Sequence, residues 1–206
     1  MTTADKRIIE LYERRARAWD EDRGRARPEG ERRWVERFSA AAGPGASVLD
    51  LGCGSGEPIA RDLIAAGHKV TGVDGAAALI ALCKERFPNE TWIVADMRRL
   101  ELGVRFGAIL AWHSLFHLPV DDQGRMFSIF AAHAAPGAAL MFTSGSERGE
   151  SIGRWRGEPL YHASLDTAEY EALLKAHGFS LVEHVEDDPE CGGAAVWLAK
   201  AADARR

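Results

Sequence analysis

Three alternating glycines follow an aspartate near the first apolar run of this 206-residue chain, in the sequence Val-Leu-Asp-Leu-Gly-Cys-Gly-Ser-Gly. Glycine allows positive φ and lets a ligand approach the main chain closely. Gly52, Gly54 and Gly56 are followed by Glu57, so the spacing differs from a dinucleotide fingerprint, and the lysine of a P-loop is missing. The loop therefore favours a ligand that needs no phosphate cradle, although a tight turn without a ligand would use the same residues.

Two further aspartates occur where the next apolar runs end, and they strengthen the ligand interpretation. Asp74 lies 24 residues after Asp50, and a carboxylate there can accept hydrogen bonds from both hydroxyls of a ribose. Asp96 can accept from an adenine amino group, with the Met97 side chain packed on the ring. Asp50 lies inside the loop, where a cationic amino group could approach. Together these acids predict a ligand with an ammonium, a ribose and an adenine.

Short apolar runs alternate with amphipathic stretches from residue 46 onwards. The predicted strands are Ser47–Leu51, Lys69–Val73, Thr91–Ala95, Phe106–Trp112, Ala138–Thr143, Phe179–Glu186 and Ala194–Ala199. The predicted helices between them are Pro58–Ala66, Ala76–Phe87, Asp121–Ala135 and Asp166–His177. This alternation predicts an α/β fold with βαβ units and a parallel sheet. The connection between the last two strands is too short for a parallel crossover, so we expect an antiparallel hairpin.

The N-terminal region is rich in both arginine and acidic residues. Ile8, Tyr12, Ala16 and Trp19 fall on one face of a helix, and the charges occupy the other faces. A Pro-Glu-Gly break at positions 28–30 precedes a second helix over Glu31–Ala42. The arginine run is typical of a solvated helix face, with a phosphate-binding or partner surface as the alternative.

Five segments resemble the motifs of class I S-adenosylmethionine-dependent methyltransferases. They are VLDLGCGSGEPIARDL, VTGVDGAAALI, IVADMRRL, FGAILAWHSLFHLP and APGAALMFTSG. The resemblance covers about residues 46–200. It implies a Rossmann-like, doubly wound seven-stranded sheet of order 3-2-1-4-5-7-6, with strand 7 antiparallel. We expect one domain over 1–206: a helical N-terminal lid (1–44), a cofactor-binding core (45–144), and a lid loop, last helix and antiparallel hairpin (145–206).

The resemblance also assigns roles to individual residues around S-adenosylmethionine, whose product is S-adenosylhomocysteine. The residues expected beside the methionine part of the cofactor are Asp50, Gly52, Gly54 and Gly56. Asp74 is expected at the ribose, and Asp96 and Met97 at the adenine. Trp112, just after the fourth strand, is expected to border the methionine part and the methyl group.

We expect the binding site for the methyl acceptor to be formed by the residues after the fourth strand and by the loop Gly145–Ser164. The Asn- or Asp-Pro-Pro-aromatic motif of enzymes that methylate exocyclic amino groups of DNA bases is missing here. His113 is a candidate general base, and His117 either shares that role or packs against the next helix. The predicted substrate pocket consists of Tyr12, Trp19, His113, Phe116, Trp155, Tyr161 and His162. The two histidines have no third ligand at metal spacing, so no metal is expected.

The sequence therefore predicts a methyltransferase that acts on a small molecule by in-line displacement. The alternatives are an NAD-dependent oxidoreductase and a non-catalytic domain that binds S-adenosylmethionine. The net charge of −5 disfavours a nucleic-acid partner, and no apolar run approaches the ~18 residues of a membrane span. The N-terminus has no signal-peptide core. We read the three cysteines as reduced thiols and expect a cytoplasmic monomer or homodimer.

Overall fold

The computed structural model describes residues 7–25 and 29–203, and within them helices and strands alternate as the sequence predicts. The helices are α1 (Ile8–Arg25), α2 (Glu29–Ala42), α3 (Ile59–Ala65), α4 (Ala77–Arg86), α5 (Val120–His133) and α6 (Thr167–Ala176). The strands are β1 (Ser47–Leu51), β2 (Lys69–Asp74), β3 (Thr91–Val94), β4 (Phe106–Ala111), β5 (Ala134–Ser144), β6 (Gly149–Trp155), β7 (Glu158–Ser164), β8 (Phe179–Asp188) and β9 (Ala194–Ala201). The predicted break at Pro28 and residues 1–6 of the predicted lid lie outside the described residues. Glu29 and Gly30, which were predicted to belong to the break, form the first turn of α2.

Seven strands form one sheet in the order β3-β2-β1-β4-β5-β9-β8. Strand β9 runs antiparallel to both β5 and β8, and the pairings among the first five strands are parallel. Because β8 and β9 are the sixth and seventh strands of this sheet, the predicted order 3-2-1-4-5-7-6 and the predicted fold class are confirmed. The register pairs Asp50 of β1 with Gly72 of β2 and Leu110 of β4, so the ends of these strands meet at one edge.

Apolar side chains cover both faces of the sheet, because parallel strands with helices on either side are buried twice. Val48 packs in the layer with α2, α3 and α4, while its neighbour Leu49 packs in the layer with α5 and α6. In the second layer Phe142 of β5 stacks on Trp197 of β9 at a centroid distance of 5.6 Å and an interplanar angle of 4°. The two layers make the sheet a rigid support for the loops at its carboxyl edge.

The segment predicted as a lid loop over Gly145–Ser164 is instead a β-hairpin for most of its length. Strands β6 and β7 pair from Gly149 with Ser164 to Trp155 with Glu158. Arg156 and Gly157 form the turn, both with positive φ (48° and 83°), which suits a tight two-residue hairpin connection. The backbone pairing of the two strands, which glycine and serine composition does not reveal, makes this segment an ordered wall.

Helix α1 lies across the sheet edge and is held at both sides by ion pairs from its acidic residues. Asp20 accepts hydrogen bonds from the Arg86 guanidinium of α4, one of them 2.6 Å long. Asp22 accepts from Arg156 at the hairpin turn at 2.8 Å. Between these anchors Ala16 is buried against α4. Helix α1 is therefore a fixed cover: its aromatic side is directed at the sheet edge, and on its other side the Arg14 and Arg15 side chains are 48% and 47% exposed, as expected of a solvated helix face.

Helix α2 is tied to the end of β8 by a buried carboxylate. Asp188 is 2% exposed and accepts hydrogen bonds from the Trp34 indole at 2.8 Å and the Arg33 guanidinium at 3.1 Å. Burial opposes ionisation of Asp188, but the hydrogen bonds from Trp34 and the Glu190 N–H, with the Arg33 charge, outweigh it and lower the pKa. This contact fixes α2 against the sheet.

Replacing Asp188 is expected to destabilise the protein. Asp188→Asn should lower the free energy of unfolding by about 1–3 kcal/mol at pH 7, because buried donors lose a charged acceptor. A lowered native pKa gives stability that is present above the unfolded pKa and is lost in acid, so the difference should shrink below about pH 4. Urea unfolding at pH 7 and pH 3.5 measures this, with exposed Asp187→Asn as the control. Equal stability of the two variants at pH 7 would contradict it.

Candidate functional site

Three connected cavities lie at the carboxyl edge of the sheet, beneath α1. The inner cavity, with a volume of about 110 Å³, lies between the glycine loop and α1 and is lined by Gly52, Gly54, Asp74, Asp96, Met97 and Tyr12, among others. The outer cavity, about 700 Å³, extends from there to the β6–β7 hairpin. The side cavity lies behind the glycine loop and includes Asp50 and Trp112. Trp19 and His113 line all three, so they stand at the junction.

Asp74 forms part of the inner-cavity wall and is held by the main chain. Its two carboxylate oxygens accept hydrogen bonds from the N–H groups of Gly54 at 3.0 Å and Ala76 at 2.8 Å. Burial raises the pKa of Asp74, against the opposing effect of these two hydrogen bonds. The two hydrogen bonds fix the direction of the carboxylate, which lines the inner cavity.

Asp50 is the most deeply buried acid of the glycine loop, with 3% of its surface exposed. Burial and the nearby Asp74 charge raise the pKa of Asp50 to about 7. A cation that entered the side cavity beside it would favour the ionised form. The position fits the predicted approach of an ammonium group.

The three glycines of the loop have positive φ, but they serve different purposes. A Cβ on Gly52 would lie 2.3 Å from the Cβ of Ser114, so the packed neighbouring loop requires glycine there. A Cβ on Gly54 would lie 3.6 Å from the Trp19 indole nitrogen, across the cavity. Gly56 lines none of the three described cavities and faces the Phe87 ring, which would lie 3.0 Å from a Cβ added to this glycine. Gly56 therefore permits packing against the end of α4, and its expected place beside a ligand stays a prediction.

Asp96 and Met97 line the inner cavity at the end of β3, where the sequence places them. The Asp96 carboxylate accepts hydrogen bonds from the Arg98 guanidinium at 2.9 Å and from the Arg98 N–H at 3.0 Å. Burial opposes ionisation, but these contacts outweigh it and lower the pKa of Asp96. The inner cavity therefore has an ionised carboxylate beside a thioether at the end of β3.

His117 is buried, with 8% of its surface exposed, lines the inner and outer cavities, and has a partner at each ring nitrogen. Nδ1 donates to the Tyr161 carbonyl at 2.9 Å, and Nε2 lies 2.8 Å from the Tyr12 hydroxyl, which donates to it. Burial, together with nearby His162 and His113, lowers the pKa of His117 to about 3. The predicted catalytic role of His117 as a base is therefore corrected: its fixed neutral ring holds Tyr12 and α1 over the cavities.

His113 has an unusual backbone conformation for a residue with a side chain. Its φ is 50°, and its N–H donates to Thr143 Oγ1 on β5 at 2.9 Å. Its ring nitrogen Nε2 lies 3.2 Å from Oε1 of Glu31. Strained backbone of this kind persists where surrounding contacts over-determine it, and it clusters at functional sites.

Glu31 is the residue of the site that the sequence analysis missed. It is fully buried, and its Oε1 accepts from the Arg23 guanidinium at 2.6 Å and the Trp112 indole at 3.0 Å. Burial opposes ionisation, but the His113 hydrogen bond, the Arg23 charge and the Trp112 hydrogen bond lower the pKa of Glu31 to about 2. The sequence placed Glu31 at the start of a charged helix, where nothing distinguished it from its neighbours.

The outer cavity contains most of the aromatic residues predicted for the substrate pocket. Phe116, Trp155 and His162 line it together with Tyr12 and Trp19. Tyr161 does not: it is 1% exposed and is not part of the lining. The physical reason is the alternation of side chains along β7, which directs His162 to the cavity and Tyr161 into the interior. Burial lowers the pKa of His162.

Two negative observations concern the described residues. Among them, no group of three or more His, Cys, Asp or Glu side chains is arranged to hold a metal ion. None of the described helices has the length and apolar character that a membrane crossing requires. The three cysteines are free thiols.

Comparisons with known proteins agree with this architecture. Residues 19–184 match the family model described as "Methyltransferase domain". Over 109 residues, 52% of this chain, the sequence is 32% identical to a dTDP-3-amino-3,6-dideoxy-alpha-D-glucopyranose N,N-dimethyltransferase of Streptomyces fradiae. The aligned part covers 41% of that relative, so the chain matches less than half of its length.

Two solved structures share the fold. One is CalS10 of Micromonospora echinaspora, an amino pentose methyltransferase with S-adenosylmethionine bound, at TM-score 0.70, 21% identity, and coverage of 90% of this chain and 96% of that one. The other is the 1,6-didemethyltoxoflavin-N1-methyltransferase of Burkholderia thailandensis, at TM-score 0.72, 20% identity, and coverage of 97% and 87%.

Because the pKa of Asp50 is raised, we expect ionisation of Asp50 to lower the free energy of unfolding of the ligand-free protein. A carboxyl whose native pKa is raised destabilises the fold as pH rises from about 4 to about 7. Asp50→Asn should therefore increase the free energy of unfolding at pH 8 by about 2–4 kcal/mol, at roughly 1.4 kcal/mol per pKa unit, and change it little at pH 4. Urea unfolding at both pH values, with Asp187→Asn as the exposed control, measures this. No gain at pH 8 would contradict the assignment.

Proposed function

We propose that this chain, which belongs to the methyltransferase-domain family, transfers a methyl group from S-adenosylmethionine to an amino group of a small molecule. The observation that carries the proposal is the pair of adjoining cavities. Fixed acids of consecutive strands line the inner one, and aromatic and acidic side chains line the outer one. His113 and Trp19 lie where the two cavities meet.

The inner and side cavities fit the parts of S-adenosylmethionine. Asp74 presents a fixed acceptor for the ribose hydroxyls, and Asp96 with Met97 suits the adenine. Asp50, whose burial favours the neutral form in the free protein, suits the methionine ammonium. When bound, the cofactor supplies a methyl group on a positively charged sulfur, which is already activated for displacement.

The protein's own contribution is mainly alignment and exclusion of water. Helix α1 covers the junction, because the Tyr12 hydroxyl is bonded to His117 and because Trp19 meets Tyr12 and Trp155 edge to face, at 5.1 Å and 5.8 Å. The hairpin β6–β7 closes the opposite side. A nucleophile in the outer cavity is thereby held against the inner cavity. The sequence-derived expectation that residues 1–44 act as a lid is kept as part of this proposal.

An amino group as acceptor is supported by the outer-cavity lining. Its acidic residues are Asp22, Glu31, Glu147 and Glu150, and its arginines are Arg23 and Arg148. Arg23 is ion-paired with Glu31 and Arg148 with Glu169, and Asp22 is ion-paired with Arg156 at the hairpin turn. Acidic and aromatic side chains together favour an ammonium group. The named activities of the amino-sugar relatives point in the same direction.

Cofactor binding tests the first part of this proposal. Calorimetry should show binding of S-adenosylmethionine and S-adenosylhomocysteine and none of NAD. Asp74→Asn should weaken S-adenosylhomocysteine binding by about 1–3 kcal/mol, because the ribose hydroxyls lose a charged acceptor.

The matched control is Glu85→Gln, which removes an exposed acid of α4, and circular dichroism verifies folding of both variants. Binding of NAD alone would favour the oxidoreductase alternative. Unchanged affinity in folded Asp74→Asn would refute the ribose assignment. Binding of cofactor without turnover of any amine, hydroxyl or thiol acceptor would favour the non-catalytic alternative.

A further inference from the structure

We propose that Glu31 is a positioning residue that holds His113 as the proton acceptor for the ammonium group of the substrate. The proposal deepens the proposed function and depends on it. It adds a second element, α2, to the catalytic apparatus, and it assigns different roles to the two histidines that follow β4.

The contact between Glu31 and His113 fixes which ring nitrogen is available. Nε2 of His113 lies 3.2 Å from Glu31 Oε1, and an ionised carboxylate accepts hydrogen bonds only. The neutral imidazole therefore carries its proton on Nε2, so Nδ1 presents a lone pair. A histidine is an effective base when a further group orients its ring in this way.

Independent contacts fix the position of the ring. The carboxylate is fully buried and is itself oriented by Arg23 and by Trp112, the residue immediately before His113. The backbone of His113 is held at φ 50° by the hydrogen bond of its N–H to Thr143. Glu31 of α2 thus contacts the ring, Arg23 of α1 orients Glu31, and Thr143 of β5 holds the backbone of His113, which lines all three cavities.

The other histidines around the outer cavity are less suited to this role. His117 has a partner at each ring nitrogen, so neither nitrogen is free to take a proton from a substrate. The His162 ring lies tilted against Phe116 at a centroid distance of 5.3 Å, and no hydrogen bond or ion pair to an acid is seen for it among the described residues. His113 has the buried carboxylate that stabilises an imidazolium.

Charged and titratable groups from every element around His113 bear on its protonation. They are Glu31 of α2, Arg23 and Asp22 of α1, Asp50 of β1, Glu57 after the glycine loop, Asp74 of β2, Asp96 and Arg98 after β3, Glu147, Arg148 and Glu150 at the start of the hairpin, His162 of β7, and His117 of its own segment. Arg23 shares Oε1 of Glu31, so it tempers the negative charge that faces the imidazole.

The proposed step is a single proton transfer. One N–H bond of the substrate ammonium breaks, and its electron pair stays on nitrogen as the nucleophilic lone pair. The proton forms a new bond to Nδ1 of His113, and the resulting imidazolium is paired with the Glu31 carboxylate. The proton then passes to solvent before the next turnover.

A nuclear magnetic resonance experiment on the free protein tests the positioning without any substrate. Long-range ¹H–¹⁵N spectra of protein labelled at histidine report which ring nitrogen carries the proton, and His113→Asn assigns the signal. We expect Nε2–H for His113 in the wild type, and a shift toward Nδ1–H in Glu31→Ala. The matched control, Glu36→Ala, removes an exposed acid of the same helix. A proton on Nδ1 in the wild type, or a His113 signal that Glu31→Ala leaves unchanged, would overturn the proposal.

Kinetics with two probe amines, glucosamine and tyramine, test the chemical role. At pH 7 we expect kcat to fall about 10–100-fold in Glu31→Gln and His113→Asn, with the KM for S-adenosylmethionine within twofold. The loss should disappear as the pH rises toward the pKa of the amine itself, because the substrate then arrives neutral. Glu36→Gln should match the wild type throughout.

A loss that persists unchanged at high pH would assign Glu31 a structural role and overturn the proposal. If cofactor binds but neither amine is methylated by the wild type, the amine acceptor of the proposed function fails, and the spectra alone decide whether Glu31 positions His113. If Glu31→Gln does not fold, the wild-type protonation state and His113→Asn still decide it.

Discussion

One buried carboxylate joins the parts of the molecule that form the site. Glu31 lies in the first turn of α2 and accepts hydrogen bonds from Arg23 of α1 and Trp112 after β4. The His113 ring lies beside the same carboxylate. Removing a buried charge from such contacts leaves its partners unsatisfied, which is far more costly than losing a surface ion pair. The helical cover and the sheet edge are therefore connected where the two larger cavities meet.

The sheet supplies the rest of the geometry. Parallel pairing of β1 with β2 and β4 brings the loops after these strands to one edge, so acids far apart in the chain line adjoining cavities. Burial of Asp50 and Asp74 raises their pKa values and makes the free protein less stable than it could be. Sites that must bind charge commonly carry such a cost.

The sequence predicted the sheet, its order and half of the residues that line the inner cavity, because strand periodicity and the glycine loop are local signals. It did not predict Glu31, since a glutamate among arginines resembles a solvated helix face until tertiary packing buries it. It also missed the β6–β7 hairpin, whose pairing depends on backbone hydrogen bonds and a two-residue turn. Three candidate residues have surroundings that the sequence does not predict. Gly56 packs against the end of α4, and the alternation of side chains along β7 directs Tyr161 into the interior. The buried His117 ring has a partner at each nitrogen.

A crystal structure with S-adenosylhomocysteine tests the central claim most directly, namely that the inner and side cavities hold the cofactor and the outer cavity holds the acceptor. The account predicts the ribose hydroxyls on Asp74, the adenine between Asp96 and Met97, and the sulfur facing His113 across the open outer cavity. Density for the nucleoside in the outer cavity, or a sulfur directed away from His113, would contradict it.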